Sequence, residues 1–292
     1  MRIRHLSIAM LLALPLGAQA RPVILVTGST DGLGREVAMR AAATGAHVLV
    51  HGRSAARGDS VVAAIRAQGV GTATFYQADF TDLASVRRMA AEVMREHPRL
   101  DVLVNNAGIY PDDGDRQLTA DGYERAFTIN YLAPFLLTRL LMPALLHERP
   151  ARIVNVASLS QQALDLDDLM MTRGYTAGRS YAQSKLAQII FTMDLAPQLE
   201  GTMLRVVALH PATMMPTAMV VGRGAAARST LDDGASAVMR LVTMPDLPNG
   251  GYFNSQVAAR ANAQAYDPVA QRRLRELSEQ LTSAPPLPTP RR

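Results

Sequence analysis

The sequence predicts an α/β domain built on a doubly wound, parallel sheet of about seven strands in the order 3-2-1-4-5-6-7, with helices on both faces. Three observations predict it. Short, near-continuous apolar runs alternate with amphipathic helical stretches along most of the chain. The first apolar run passes straight into a glycine-rich turn that opens a helix. No fixed-period repeat and no long linker interrupts the alternation, so right-handed crossovers lead to a single winding.

Taken in order, strand 23–27 precedes helix 32–44, strand 47–51 precedes helix 55–67, and strand 72–77 precedes helix 83–96. Strand 101–104 leads to a long helix, 119–146, and strand 151–157 to a helix at 180–199. Strand 204–209 is followed by helix 231–241, a last edge strand at 250–253 and a final helix at 267–281. Each strand reads as buried on both faces, because its apolar residues run on rather than alternate.

The chain has 292 residues, of which 48% are apolar, and a formal charge of +5. That length allows two domains at roughly 150 residues each, but the winding absorbs residues 21–282 into one. There is no cysteine, which excludes disulfides, thiolate metal sites and a cysteine nucleophile, and no metal site is expected. Basic residues are scattered and aromatics make up only 5%, which argues against a nucleic-acid partner.

The ends stand apart. Residues 1–20 place Arg2, Arg4 and His5 before an apolar run and the small-residue box Ala18-Gln19-Ala20, the order of a secretory signal. The run is too short to span a bilayer. It predicts export or membrane association; the alternative is an upstream extension or surface anchor on a cytoplasmic protein. Residues 283–292 carry Pro285, Pro286, Pro288 and Pro290 and read as a disordered, solvated tail.

Two groups of residues carry chemistry. The turn Gly28-Ser29-Thr30-Asp31-Gly32-Leu33-Gly34 lets the backbone approach a pyrophosphate at a helix N-terminus. At the end of the second strand Arg53 stands where an acidic residue would bind the ribose diol of NAD, and an arginine there suits a 2′-phosphate. NADP(H) is therefore the preferred cofactor, with NAD(H) left open by the nearby Asp31. Asn105-Asn106-Ala107-Gly108 after the fourth strand supplies small residues beside an adenosine and amides that pin neighbouring strands.

The second group centres on Tyr181 and Lys185, i,i+4 neighbours on one helical face. A phenol has an unperturbed pKa of about 10. An adjacent ammonium and a positive nicotinamide lower it, so that Tyr181 can exchange a proton with a carbinol or carbonyl oxygen. Ser158, just past the fifth strand, can donate to the same oxygen, and Asn130 in the long helix can hold a water linking Lys185 to solvent.

Together these residues resemble the short-chain dehydrogenase/reductase superfamily over residues 22–281, through TGSTDGLG, Asp79, NNAG, Asn130, Ser158 and YAQSK. The resemblance implies a Rossmann-type fold and an Asn130–Ser158–Tyr181–Lys185 catalytic tetrad. It also implies cofactor contacts from Asp79, Phe80, Asn106, Ala107, Gly108, Tyr181, Lys185, Pro211 and Thr213, added to the glycine loop and Arg53. The long step from Ser158 to Tyr181, the LDLDDL segment and the C-terminal AYDPVAQRRLRELSEQLT are similar to the retinol-dehydrogenase-like branch, with Arg275 where an aromatic is frequent. Ala212 replaces the usual glycine after Pro211, leaving Thr213 and Thr217 as alternatives for the nicotinamide amide.

The segment 213–229 is expected over the substrate, and Met214, Met215, Met219, Val220 and Val221 favour a lipophilic alcohol, aldehyde or ketone. The alternative is that these methionines only pack a lid on the core. The leading function is an NADP(H)-dependent carbonyl reductase or alcohol dehydrogenase; the rival is a non-catalytic NADP(H)-binding regulatory or scaffold protein. A sugar-nucleotide epimerase would need a larger C-terminal substrate domain than follows His210. By the resemblance, helix faces at 181–199 and 231–241 are candidates for pairing subunits into a homodimer or homotetramer.

Overall fold

The computed structural model describes residues 21–112 and 114–288; the leader expected at 1–20 and the end of the tail, 289–292, lie outside them. The strands are β1 (Val23–Val26), β2 (His47–Gly52), β3 (Thr72–Gln77), β4 (Val102–Asn105), β5 (Ala151–Val156), β6 (Leu204–His210), β7 (Gly251–Asn254) and β8 (Val257–Ala258). They form one sheet in the order β3-β2-β1-β4-β5-β6-β7-β8. Seven run parallel, as expected. The eighth is an addition: β8 turns back antiparallel on β7 through Ser255, whose φ is 54°. Two residues are too few to show a period-two pattern, so the sequence carries no sign of it.

Helices α1 (Gly32–Ala43), α2 (Ala55–Gln68), α3 (Leu83–Glu96), α4 (Arg125–Phe127), α5 (Ala133–Leu145), α6 (Ala177–Gln198), α7 (Ala218–Val221), α8 (Leu231–Thr243) and α9 (Pro268–Thr282) fill the connections. Strand residues alternate between two cores. Leu25, Leu49, Leu103 and Ile153 face one core with residues of α3, α5 and α6, and Val26, Val50, Val104 and Val154 face the other with residues of α1, α2 and α8. Burial on both faces is why the strands read as unbroken apolar runs. β1 pairs with both β2 and β4, so the chain winds outward in both directions from there and a crevice opens beyond the strand ends.

The long helix starts at Arg125, six residues later than the expected 119. Gly122 takes φ 80° in a turn closed by a bridge between Leu118 and Glu124. The buried Glu124 carboxylate then caps the helix by accepting the Ala126 and Phe127 amides. From α4 the helix continues through a π turn, Thr128–Leu132, into α5. The rod Arg125–Leu145 is apolar enough to cross a membrane by composition, yet it is mostly buried inside the domain, as a core helix is.

α6 is buried along nearly its whole length, because α9 packs against it. The face offered by 181–199 for pairing subunits is therefore covered within the chain. Tyr131 and Ser278 share a hydroxyl hydrogen bond, and Arg139 pairs with Glu279. Residues 283–288, expected to be solvated, instead lie along the domain: Arg139 Nε donates to the Pro285 carbonyl, and Ala284 and Leu287 pack on the core. Proline removes donors, but its carbonyls still accept.

Arg275 also finds its reason here, since its guanidinium pairs with Asp194 on α6, a carboxylate that burial pushes up and Arg275 pulls back down. Restoring an aromatic there with Arg275→Phe should leave that buried carboxylate unpaired and cost about 2–3 kcal/mol of unfolding free energy. Adding Asp194→Ala should recover part of the loss in a double-mutant cycle measured by urea denaturation.

Candidate active site

The crevice beyond the strand ends collects both groups of residues singled out in the sequence. On the cofactor side, β1 ends in Thr27, whose buried hydroxyl accepts the amides of Asn106 and Ala107, 3.0 Å from each. Asn106 Nδ2 returns hydrogen bonds to the carbonyls of Thr27 and Gly28. The glycine turn and the Asn105–Gly108 loop are thus one body. Gly28, at φ 64°, is required by that contact, because a Cβ there would lie 2.8 Å from Ala107 Cα.

The loop residues then divide by role. Ser29 is fully buried, and its hydroxyl accepts the His51 amide. Leu33 is buried against the α8 side of the core. Thr30 lies over Gly52, where a Cβ would meet its side chain at 2.5 Å. Asp31 caps α1, accepting the Gly32 amide at 2.7 Å. Its carboxylate is thereby engaged at the helix start rather than beside Arg53. Arg53 is exposed at the end of β2, and its carbonyl accepts from Gln77.

Asp79 ties its own loop by accepting the Thr81 amide and hydroxyl. The Phe80 ring is buried and stacks on His51 with centroids 4.4 Å apart, so it forms a wall. On the far side Pro211 is buried, and the Thr213 hydroxyl bonds His210 Nε2 at 3.0 Å. Thr217 stands over the glycine turn, its Cγ2 3.2 Å from where a Gly32 Cβ would be.

On the chemical side, α6 starts at Ala177, capped by the Thr176 hydroxyl, and carries Tyr181 and Lys185 one turn apart. Lys185 is buried and donates to the Val156 carbonyl at 2.8 Å and to Gln188 Oε1 at 3.1 Å. Its Nζ lies 5.8 Å from the centre of the Tyr181 ring. Burial pulls the Lys185 pKa down to about 7. The same burial raises that of Tyr181, and a hydrogen bond from Ser158 recovers only part of the shift. Burial is the main cause of that rise, and the ammonium itself is directed to Val156 and Gln188.

Asn130 sits on the π turn, a widening that the sequence does not announce. Its amide spans the Ile109 N–H and carbonyl and donates to Ser184, joining the small-residue loop to α6. Gly108 makes room, since a Cβ there would lie 3.2 Å from Asn130 Oδ1 and 3.3 Å from Lys185 Nζ. The carbonyl of Ser158 accepts from Tyr252 and Gln161, and its hydroxyl accepts the Ser160 amide. Asn130, Ser158, Tyr181 and Lys185 therefore converge.

Several residues of this region escaped the sequence reading. Tyr110 packs on Tyr181 with ring centroids 4.9 Å apart, and the Arg223 guanidinium lies 3.9 Å from the Tyr110 ring centre while donating to the Pro111 carbonyl. The only signal for Tyr110 was its place two residues after the NNAG run; Arg223 had none. Of the lid methionines, Met215 is buried in the core against Gly234, whereas Met214 and Met219 remain partly exposed. The packing reading thus holds for Met215.

A family model described as short chain dehydrogenase matches residues 22–227. The chain belongs to the short-chain dehydrogenase family. Members of this family are NAD(P)-dependent oxidoreductases. Human retinol dehydrogenase 14 is 39% identical over 204 residues, covering 64% of this chain and 60% of that protein. Human retinol dehydrogenase 11 is 32% identical over 278 residues, covering 90% and 86%. The chain spans 57–60% of the length of retinol dehydrogenases 14, 13 and 12. Among solved structures, a short chain dehydrogenase from Shigella flexneri complexed with NADP superposes with a TM-score of 0.64 at 26% identity, covering 80% of this chain and 97% of that one. Salutaridine reductase from Papaver somniferum, at 23% identity, TM-score 0.65 and coverage of 80% and 99%, shows the shared fold. The chain is retinol-dehydrogenase-like within its family.

Histidines around the sheet set a pH limit on this short-chain dehydrogenase. Burial lowers the pKa of His47, His97 and His210, and that of His51 to about 4. Below about pH 6.5 an unfolded chain gains protons that these folded histidines refuse. Stability is therefore full above that pH and should fall as pH drops toward 4, seen as a declining urea midpoint in a pH series.

Proposed function

We propose that the chain is an NADP(H)-preferring oxidoreductase, a carbonyl reductase or alcohol dehydrogenase acting on a lipophilic alcohol, aldehyde or ketone. The convergence of Tyr181, Ser158 and Lys185 beside the glycine turn carries this reading. The glycine turn, packed against the small-residue loop, leads into the N-terminus of α1, an arrangement that suits a dinucleotide pyrophosphate. When bound, the nicotinamide exchanges hydride with the substrate carbon.

The chain's own groups handle the proton. Tyr181 presents its phenol to the substrate oxygen, and Ser158 donates a second hydrogen bond to it. The neutral phenol, which burial favours, is the form that can donate a proton to a carbonyl oxygen. Lys185 holds positive charge near the ring and favours the phenolate that remains after transfer. Asn130 keeps the Ile109 loop against α6, so the cofactor wall and the proton donor move together.

Arg53, exposed at the end of β2 with Asp31 engaged elsewhere, supports NADP(H) over NAD(H). The partly exposed Met214, Met219 and Val220 support an apolar substrate, as does the likeness to relatives named for retinol. The leader at 1–20 is read as a signal for export or membrane association.

Tyr181→Phe should lower turnover of apolar aldehydes with NADPH by about 10²–10⁴-fold while NADPH still binds, measured by cofactor absorbance and fluorescence titration. Unchanged biological activity in that variant would favour the scaffold reading. Arg53→Ala should reduce kcat/KM for NADPH about tenfold or more and leave that for NADH nearly unchanged, because it removes one charge-assisted contact.

A further inference from the structure

Among the buried groups outside the tetrad, His51 joins three separate segments. Its Nδ1 accepts the Gly28 amide at 3.0 Å, and Gly28 is the first glycine of the turn. Its Nε2 lies 3.3 Å from the Ala78 carbonyl, just before Asp79 and Phe80. Its ring stacks on Phe80. Its backbone amide donates to the Ser29 hydroxyl, and its carbonyl accepts the Ser29 amide at 2.9 Å.

These contacts choose one tautomer. An amide N–H can only donate, so Nδ1 must be the bare acceptor; a carbonyl can only accept, so Nε2 carries the proton. Burial keeps the ring neutral, with the Ala78 bond and the Asp79 charge opposing that effect only weakly. A charged imidazole would direct an N–H at the Gly28 N–H. The neutral ring instead spans β2 with one hydrogen bond on each side, linking the turn at the end of β1 to the loop at the end of β3.

We propose that His51 is a positioning residue for the dinucleotide, holding the glycine turn and the Asp79–Phe80 loop at the separation that takes the adenosine diphosphate half of the cofactor. This rests on the reading of the glycine turn as an NADP(H) site. It goes beyond that reading by placing the control of cradle width on a buried side chain outside the tetrad. A buried spacer of this kind acts on affinity, because a loop already held in its bound shape loses less freedom on binding.

The geometry sets a discriminating test. Asparagine puts its amide oxygen near the place of Nδ1 and can still accept the Gly28 amide; glutamine reaches the place of Nε2 and cannot. NADPH dissociation constants of full-length wild type, His51→Asn, His51→Gln and His51→Leu would be measured by fluorescence titration, beside melting of the unliganded proteins. Leucine should weaken NADPH about tenfold or more, and asparagine and glutamine, each keeping one of the two hydrogen bonds, should fall between wild type and leucine. Equal affinity in all four overturns the proposal. So does wild-type affinity in both the asparagine and the glutamine variant.

Two controls separate the causes. If wild type binds neither NADPH nor NADH, the reading of the glycine turn fails; if wild type binds and the variants do not differ, only the role of His51 fails. A long-range ¹H–¹⁵N spectrum of the wild-type imidazole gives an answer even where variants do not fold. It should show Nδ1 unprotonated at pH 7, and a protonated Nδ1 overturns the proposal.

Discussion

A buried ammonium needs acceptors, and Lys185 finds them in the Val156 carbonyl and the Gln188 amide oxygen. That requirement fixes α6 against the end of β5. Ser158 follows β5 and Tyr181 precedes Lys185 by one turn, so the same bond brings the serine hydroxyl to the phenol. The network continues beneath the site. Thr192 donates to the Gln188 carbonyl and accepts from Asn155, and Asn155 accepts from Asn105. A polar seam thus runs from the lysine across β5 to β4 inside an otherwise apolar core. Such seams are costly to bury and tolerate one arrangement well, which gives the helix a defined height.

The seam explains why the Tyr181–Lys185 helix and the glycine turn share one connected unit. Asn105 ends β4 and opens the Asn106–Gly108 loop, which Thr27 and Asn106 bind to the glycine turn. Asn130 closes the circuit by joining Ile109 to Ser184 on α6. Tyr110 then packs at a tilt against Tyr181 and meets Arg223 from the 213–229 segment. The 213–229 segment thus reaches Tyr181 through Tyr110. α9 supports the outer side of α6, with the Arg275–Asp194 pair at their contact.

Much of this was readable from the chain itself, for local reasons. Double-sided burial writes itself as unbroken apolar runs, so seven strands and their order were within reach. Spacing along a helix places Tyr181 and Lys185 on one face whatever surrounds them. Other features were closed to such reading. Thr119 to Glu124 carries a helix-like composition, but Gly122 turns the chain and Glu124 starts the helix later. β8 is too short for a pattern, and the prolines of the tail hide the carbonyl that Arg139 uses.

The charges divide the same way. Residue types announced a tyrosine, a serine and a lysine in the right order, and an arginine where a 2′-phosphate would be met. Their ionisation depends on solvent exclusion and on which acceptor each cation reaches, and both are properties of packing between distant segments. Hence burial raises the Tyr181 pKa, whereas the lowering expected from sequence needs the nicotinamide charge beside Lys185. By itself the sequence determined the winding, the glycine turn and the catalytic residue types, because these follow from local periodicity and backbone freedom. Only the tertiary structure decided the π turn under Asn130, the tautomer of His51, the stack on Tyr181 and the partner of Arg275, because each depends on residues brought together from far apart in the chain.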